Sequence, residues 1–175
     1  MTSIADTIAA NARLTLAFAE AIAKDIPADR FGRFSTSASG EPVNSNHPAF
    51  VYGHLCLYPG RCAEMLGAAD SELKASDAYE ALFAPNVECR DDTDGSIYPS
   101  KDELVSKFMQ GQASAIELIL NASDAKLLED TPVERYRERF PYVGSVVAFL
   151  TSGHAMMHLG QVSAWRRFEG LGSAM

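Results

Sequence analysis

Two of the chain's four histidines stand four residues apart in Gly153-His154-Ala155-Met156-Met157-His158-Leu159-Gly160-Gln161. On a helix such residues lie one turn apart on the same face, so His154 and His158 aim their rings at a common point. Neutral imidazole is the commonest protein ligand for divalent transition metals. Two such rings need one more imidazole to hold an ion with a coordination position left open. The plainer reading of each histidine is a core side chain hydrogen-bonded to a neighbour. The choice turns on whether another histidine lies on a face that can meet this one.

The apolar spacing predicts a helix from about Val143 to Phe168, stopped at Gly170, with Val147, Leu150, Thr151, His154, His158, Gln161 and Trp165 on one stripe. A second helix is predicted from His47-Pro48, where proline suits the first turn, towards Leu66-Gly67. Its stripe is His47, Phe50, Val51, His54, Tyr58, Cys62 and Met65. All four histidines therefore fall on inward stripes of two helices, and facing helices are where bundles assemble metal ligands. His54 is the better third ligand. His47 lies about 10 Å earlier along the axis at 1.5 Å per residue, which suits a cap or a place at the entrance. Gln161, one turn beyond His158, could orient that ring or a bound water, and a helix-packing amide is an equal alternative. Tyr58, one turn from His54, could turn its phenol to the pocket, a core tyrosine being the plainer reading.

The remaining elements must hold these two helices together. A first helix is predicted over Ile4–Ile26, opened by the Ser3/Asp6 capping-box pattern and ended by Pro27. A third follows Ser100, with Glu103 completing a second capping box and Leu104, Phe108, Ala115 and Ile119 as its stripe. The polar stretch DRFGRFSTSASGEPVNSN, the segment APNVECRDDTDGSIYP and the passage through Pro132 to Phe140-Pro141 read as loops, and SELKASDAYEALF as a short helix. Pro59-Gly60 inside the second helix predicts a kink or early stop, because proline cannot donate to the Leu55 carbonyl and clashes with it. No alternating pattern is long enough to build a sheet. The expected fold is all-α: one domain over residues 1–175, a four-helix bundle with long crossover connections.

Composition narrows the function. A formal charge of −8, with Arg166-Arg167 as the only basic doublet, argues against nucleic-acid binding. That doublet fits the end of the last helix, where positive charge complements the dipole. No apolar run approaches a membrane span. The start MTSIADTIAANARL lacks the basic and apolar blocks of a secretory leader. Three scattered cysteines, Cys56, Cys62 and Cys89, without a CxxC pair fit a reducing, cytoplasmic setting. Cys56, two residues past His54, should point away from the ion. The run Asp91-Asp92-Thr93-Asp94-Gly95 fails as a calcium loop, since the register using Gly95 puts Arg90 and Lys101 at ligand positions; a solvated acidic turn is expected. Trp165 is expected in the core.

The segments NHPAFVYGHL, YPSKDEL and HAMMHLGQVSAWRR, in this order over nearly the whole chain, resemble the DinB-like (DinB/YfiT) superfamily of helical bundles regarded as metalloenzymes. The most specific part is the histidine of YGHL together with H-x-x-x-H-x-G-Q near the end. In that family three histidines hold a divalent metal, commonly nickel or zinc. Carried over by position, they are His54, His154 and His158. One departure is Pro59-Gly60, where an uninterrupted helix is expected. Relatives include transferases and isomerases that use low-molecular-weight thiols, so the resemblance implies a metal-dependent thiol S-transferase acting on a small molecule. A metal-dependent hydrolase, or a non-catalytic bundle that binds or senses through its metal, are the alternatives. A homodimer is compatible with the sequence.

Overall fold

Ser3 opens the chain's first helix with a reciprocal cap: its hydroxyl accepts from the Asp6 amide and the Asp6 carboxylate accepts from the Ser3 amide. The computed structural model describes residues 2–68 and 72–174. In it the regular elements are helices: α1 (Ile4–Ala23), α2 (Pro48–Leu55), α3 (Tyr58–Met65), α4 (Asp77–Phe83) and α5 (Lys101–Leu120). The short α6 (Asp124–Leu127) and α7 (Glu134–Arg137) then lead to α8 (Val143–Ala148), a wide π-type turn at Phe149–Gly153, and α9 (His154–Phe168). Among the described residues, β pairing is limited to two isolated bridges, Thr36 with Pro42 and Asp130 with Tyr142. The all-α expectation holds.

α5 packs on α1, α2 and α3, while α9 packs on α1 and α2. The α5 stripe of Leu104, Phe108, Ala115 and Ile119 is fully buried, as its spacing requires. Its Ser100 cap is only half of the predicted box: Ser100 Oγ accepts from the Glu103 amide, but the Glu103 carboxylate is taken by the Tyr79 hydroxyl at 2.9 Å.

Several boundaries differ from the sequence reading. α1 ends at Ala23 rather than Ile26, and carbonyls in its last turn and just beyond it go to side chains from other helices. Arg166 donates to Ile22 O at 2.9 Å, and Lys101 donates to Ile26 O at 2.6 Å. Arg166 stands in the last turn of α9, as expected, and is buried there. It is 1% exposed and ion-paired with Asp25, whereas Arg167 stays on the surface. The second predicted helix is two, broken at Cys56-Leu57. Pro59 then sits in the first turn of α3, where a missing amide leaves no ladder bond unmade. The stretch after α5, expected as loop, contains α6, capped by Ser123, and α7. Part of the short helix expected over SELKASDAYEALF is α4; Ser71 lies outside the described residues.

The acidic turn is also less solvated than expected. Asp92 is 7% exposed and accepts from the amides of Ser96, Ile97 and Tyr98, while Asp91 pairs with Arg33 at 2.9 Å. Asp91, through Arg33 and the Phe34 amide, and the Asp92 amide, which donates to Gly32 O, pin the loop that follows α4 to the 28–46 connection. Asp94 remains exposed.

Two glycines make this packing testable. A Cβ on Gly53, in the middle of α2, would run into the Phe83 ring of α4, whereas one on Gly160 of α9 meets nothing within 4 Å. Glycine to alanine normally stabilises a helix interior by about 0.5–1 kcal/mol. Chemical denaturation should show that gain for Gly160→Ala. Gly53→Ala should instead lose about 1–3 kcal/mol through overpacking. Equal effects at the two positions would contradict the α2–α4 contact.

Candidate metal centre

α2 is buried along its whole length, from Pro48 to Leu55, because α4, α5 and α9 all pack on it. Its first turn is capped by His47, whose Nδ1 accepts from the Phe50 amide at 3.2 Å while Nε2 donates to Arg90 O at 2.9 Å. Both ring nitrogens of His47 are thus spent on backbone. His54, at the other end of α2, donates from Nδ1 to Phe83 O at 2.7 Å, since a carbonyl only accepts. Its Nε2 therefore carries the lone pair, and it accepts from the Tyr58 hydroxyl at 3.0 Å.

α9 brings the other two rings. The buried line down α8, the wide turn and α9 runs Val143, Val147, Thr151, Ala155 and Leu159, one residue in every four. Each four-residue step overshoots an α-helical turn by about 40°. The wide turn, in which the His154 amide bonds Phe149 O, takes up part of that overshoot. Consequently Ala155 and Leu159, not His154 and His158, lie on the central line. The histidines flank it and face α2, with His154 8% exposed and His158 half-buried.

Each of His54, His154 and His158 offers a nitrogen, and these atoms all lie within 4.8 Å of one another. Ring centroids are 4.6 Å apart for His54 and His158, 4.5 Å for His154 and His158, and 5.5 Å for His54 and His154. His158 donates from Nδ1 to Gln161 Oε1 at 3.2 Å, which leaves Nε2 its lone pair. The same oxygen accepts from Asn46 Nδ2 at 3.1 Å. His154 Nδ1 is buried and has no hydrogen-bond partner. Tyr58 packs on His154 at 4.1 Å and lies under the Arg61 guanidinium.

Burial dominates the titration of every histidine. It pushes His54 down to about 4, against the opposing pull of the Phe83 carbonyl, and His154 down to about 3, helped by the neighbouring rings. His158 and His47 are lowered for the same reason. Burial likewise raises Tyr58, which stays a phenol and a proton donor. The rings open on a cavity of about 460 Å³, walled by Phe50, Pro85 and Val87 and edged by Asn44, Glu88 and Cys89.

The sequence-predicted residues divide clearly. His54, His154 and His158 converge, Tyr58 and Gln161 each bond one of their rings, and His47 serves as a helix cap away from them. Cys56 bonds Leu104 O and faces away, as expected. Trp165 is in the core and donates to Arg33 O at 2.8 Å. Missed were Asn46, the Phe83 carbonyl and the Cys89 thiol at the cavity edge. Asn46 is the first residue of the NHPAFVYGHL segment, whereas a backbone carbonyl leaves no trace in residue type. Compared with protein-family models, with curated proteins and with solved structures, the chain finds no match in any of the three.

The histidine shifts fix how stability depends on pH. A folded pKa below the ordinary value of about 6.5 means that the unfolded chain binds more protons once pH falls under it. This contribution is fully present above about pH 6.5 and drains away towards the folded values near 4 and 3 for His54 and His154. With chelator present, urea midpoints should fall steadily from pH 7 to pH 4.5. Replacing His54 and His154 together by Phe should flatten that slope; an equally steep slope in the double variant would contradict neutral, buried imidazoles.

Proposed function

We propose that the chain is a metal-dependent enzyme in which His54, His154 and His158 hold one divalent ion, nickel or zinc, and that it is a low-molecular-weight-thiol S-transferase of the DinB-like type. The observation that carries the reading is the convergence of three imidazole nitrogens within 4.8 Å of one another at the wall of a cavity. Histidine–metal bonds are about 2.0–2.1 Å long, so nitrogens at this spacing are near enough to close on one ion. The donor chemistry fits. All three rings are kept neutral by burial, and Phe83 O and Gln161 Oε1 fix the tautomers of two of them, which is how ligand histidines are usually oriented. The buried, partnerless Nδ1 of His154 gives that ring a nitrogen no protein group uses. The helices α1, α2 with α3, α5, and α8 with α9 supply the four rods of a bundle, joined by the long 28–46 and 84–99 connections.

When bound, such an ion supplies Lewis-acid charge and an exchangeable position at which a thiol or water becomes a nucleophile near neutral pH. The chain's residues divide the remaining work. Phe50, Pro85 and Val87 wall the cavity with apolar surface that limits water, and Asn44 and Glu88 offer hydrogen bonds to a small polar substrate. Tyr58, 3.0 Å from His54 Nε2, places the nearest protic group beside the ligand nitrogens, where it can donate a proton or a hydrogen bond. The chain's thiols are poor nucleophiles: burial pushes Cys56 and Cys62 up to about 12 and Cys89 up to about 11. A thiol reaction here therefore draws its thiol from a cosubstrate, in a cytoplasmic setting that supplies one.

Metal content and metal titration decide between this and a plain buried cluster. His158→Ala and His54→Ala should each weaken binding by more than the roughly 10–100-fold that an outer-shell contact commands. His47→Ala should keep the metal while losing about 0.5–2 kcal/mol of stability as a missing cap. Unchanged metal content in His158→Ala would remove the site. On cobalt-loaded protein, a small physiological thiol should produce a thiolate-to-metal charge-transfer band. Hydrolysis of esters or amides without such a band would favour the hydrolase.

A further inference from the structure

One buried polar side chain in α5 is left unexplained by the core and by the ligand set. Gln112 is 2% exposed and stands in the stripe of Leu104, Phe108, Ala115 and Ile119, where an apolar residue would pack without needing a partner. Its Nε2 donates to the Thr151 carbonyl at 2.6 Å. Thr151 is the middle residue of the wide turn Phe149–Gly153, is itself 1% exposed, and bonds Val147 O through its hydroxyl at 2.7 Å. The turn ends where His154 begins.

A turn closed by a bond spanning five residues, as between the His154 amide and Phe149 O, is less favoured than an α-helical one and persists where surroundings hold it. Relaxing it to α-helical spacing would change the rotation of everything that follows; one residue is about 100° of helix. The Ala155–Leu159 line and the His154 and His158 rings beside it would turn together, and the rings would no longer face His54. Gln112 supplies a lateral bond into the middle of this turn from a helix that packs on both the turn and α3. At the adjoining Gly111 the approach to α3 is close, since a Cβ there would stand 3.0 Å from Pro59 Cγ. That contact ties the same part of α5 to the helix that carries Tyr58.

We propose that Gln112 is a positioning residue for the metal centre: by bonding Thr151 O it holds the wide turn, and the turn sets the rotation at which α9 presents His154 and His158 to His54. This rests on the metal reading above. Gln112 touches no ligand and acts only through the backbone between them. Outer contacts that orient ligands typically govern metal affinity by roughly 10–100-fold, and the same range applies to a bond that orients two ligands at once.

The test uses the full chain, stripped of metal and titrated with cobalt(II). Gln112→Met keeps length and flexibility but removes the donor. Ile119→Val, about 10 Å further along α5, is the control for plain loss of core packing. Cobalt affinity should fall at least tenfold in Gln112→Met and stay within about twofold of wild type in Ile119→Val. In the metal-free proteins, amide exchange across residues 150–156 should accelerate in Gln112→Met and not in the control. Should Gln112→Met fail to fold, Gln112→Asn, which keeps an amide but withdraws it by one bond, takes its place. Wild-type affinity in a folded Gln112 variant overturns the positioning role and leaves the metal reading intact. If wild type itself takes up no cobalt, the metal reading falls and the positioning role with it.

Discussion

Three imidazoles packed ring to ring under a layer of apolar side chains can coexist only while they are neutral. A proton on any of them would put a charge where no carboxylate is paired with the ring, beside two other rings able to protonate in turn. The hydrogen bonds around the site satisfy that constraint. Phe83 O and Gln161 Oε1 each accept one ring N–H, so each ring's remaining lone pair points to the shared space, and Tyr58 donates to the one on His54. A polar cluster of this kind is a poor way to fill a core, because leucines would fill the volume without desolvating six nitrogens. A bound cation, as proposed, would offset that cost.

Several irregularities of the fold shape the surroundings of this cluster. The break at Cys56-Leu57 and the restart at Tyr58 let α3 leave the line of α2 while keeping Tyr58 against His54. The wide turn ahead of α9 moves small and branched side chains onto the central line and the histidines to its flank, where the cavity lies. The loop after α4 reaches the site because Asp91 and Asp92 fasten it to the 28–46 connection, and both segments edge the cavity. Arg166 closes the opposite end of α9 by taking the Ile22 carbonyl of α1 and the acid of Asp25 just beyond it, so both ends of α9 are fixed to neighbouring segments.

Much of this was legible in the residues because it rests on period and local chemistry. The α5 stripe, the Ser3 and Ser100 caps, the interruption near Pro59 and the meeting of an i,i+4 histidine pair with His54 all follow from spacing and side-chain type. What escaped depends on partners far away in the chain or on how a loop curls back on itself. Arg166 reads as an end-of-helix cation until α1 is placed beside it. Asp92 reads as a surface acid until the amides of Ser96 to Tyr98 curl around it. The wide turn has no mark in FLTSG, since every residue of that stretch is compatible with an ordinary helix, and the Phe83 carbonyl could come from any residue. The chemistry beyond the ion, the choice of thiol and electrophile, is set by cavity shape and loop side chains rather than by a local motif.

The central claim is that one divalent ion sits on three imidazoles. X-ray absorption at the metal edge of the stoichiometrically loaded, untagged protein reads that directly. The expected spectrum shows nitrogen or oxygen donors at about 2.0–2.1 Å with the multiple-scattering pattern of three imidazoles. A spectrum with one imidazole or none, or one dominated by sulfur from the chain's own cysteines in the absence of added thiol, would contradict it.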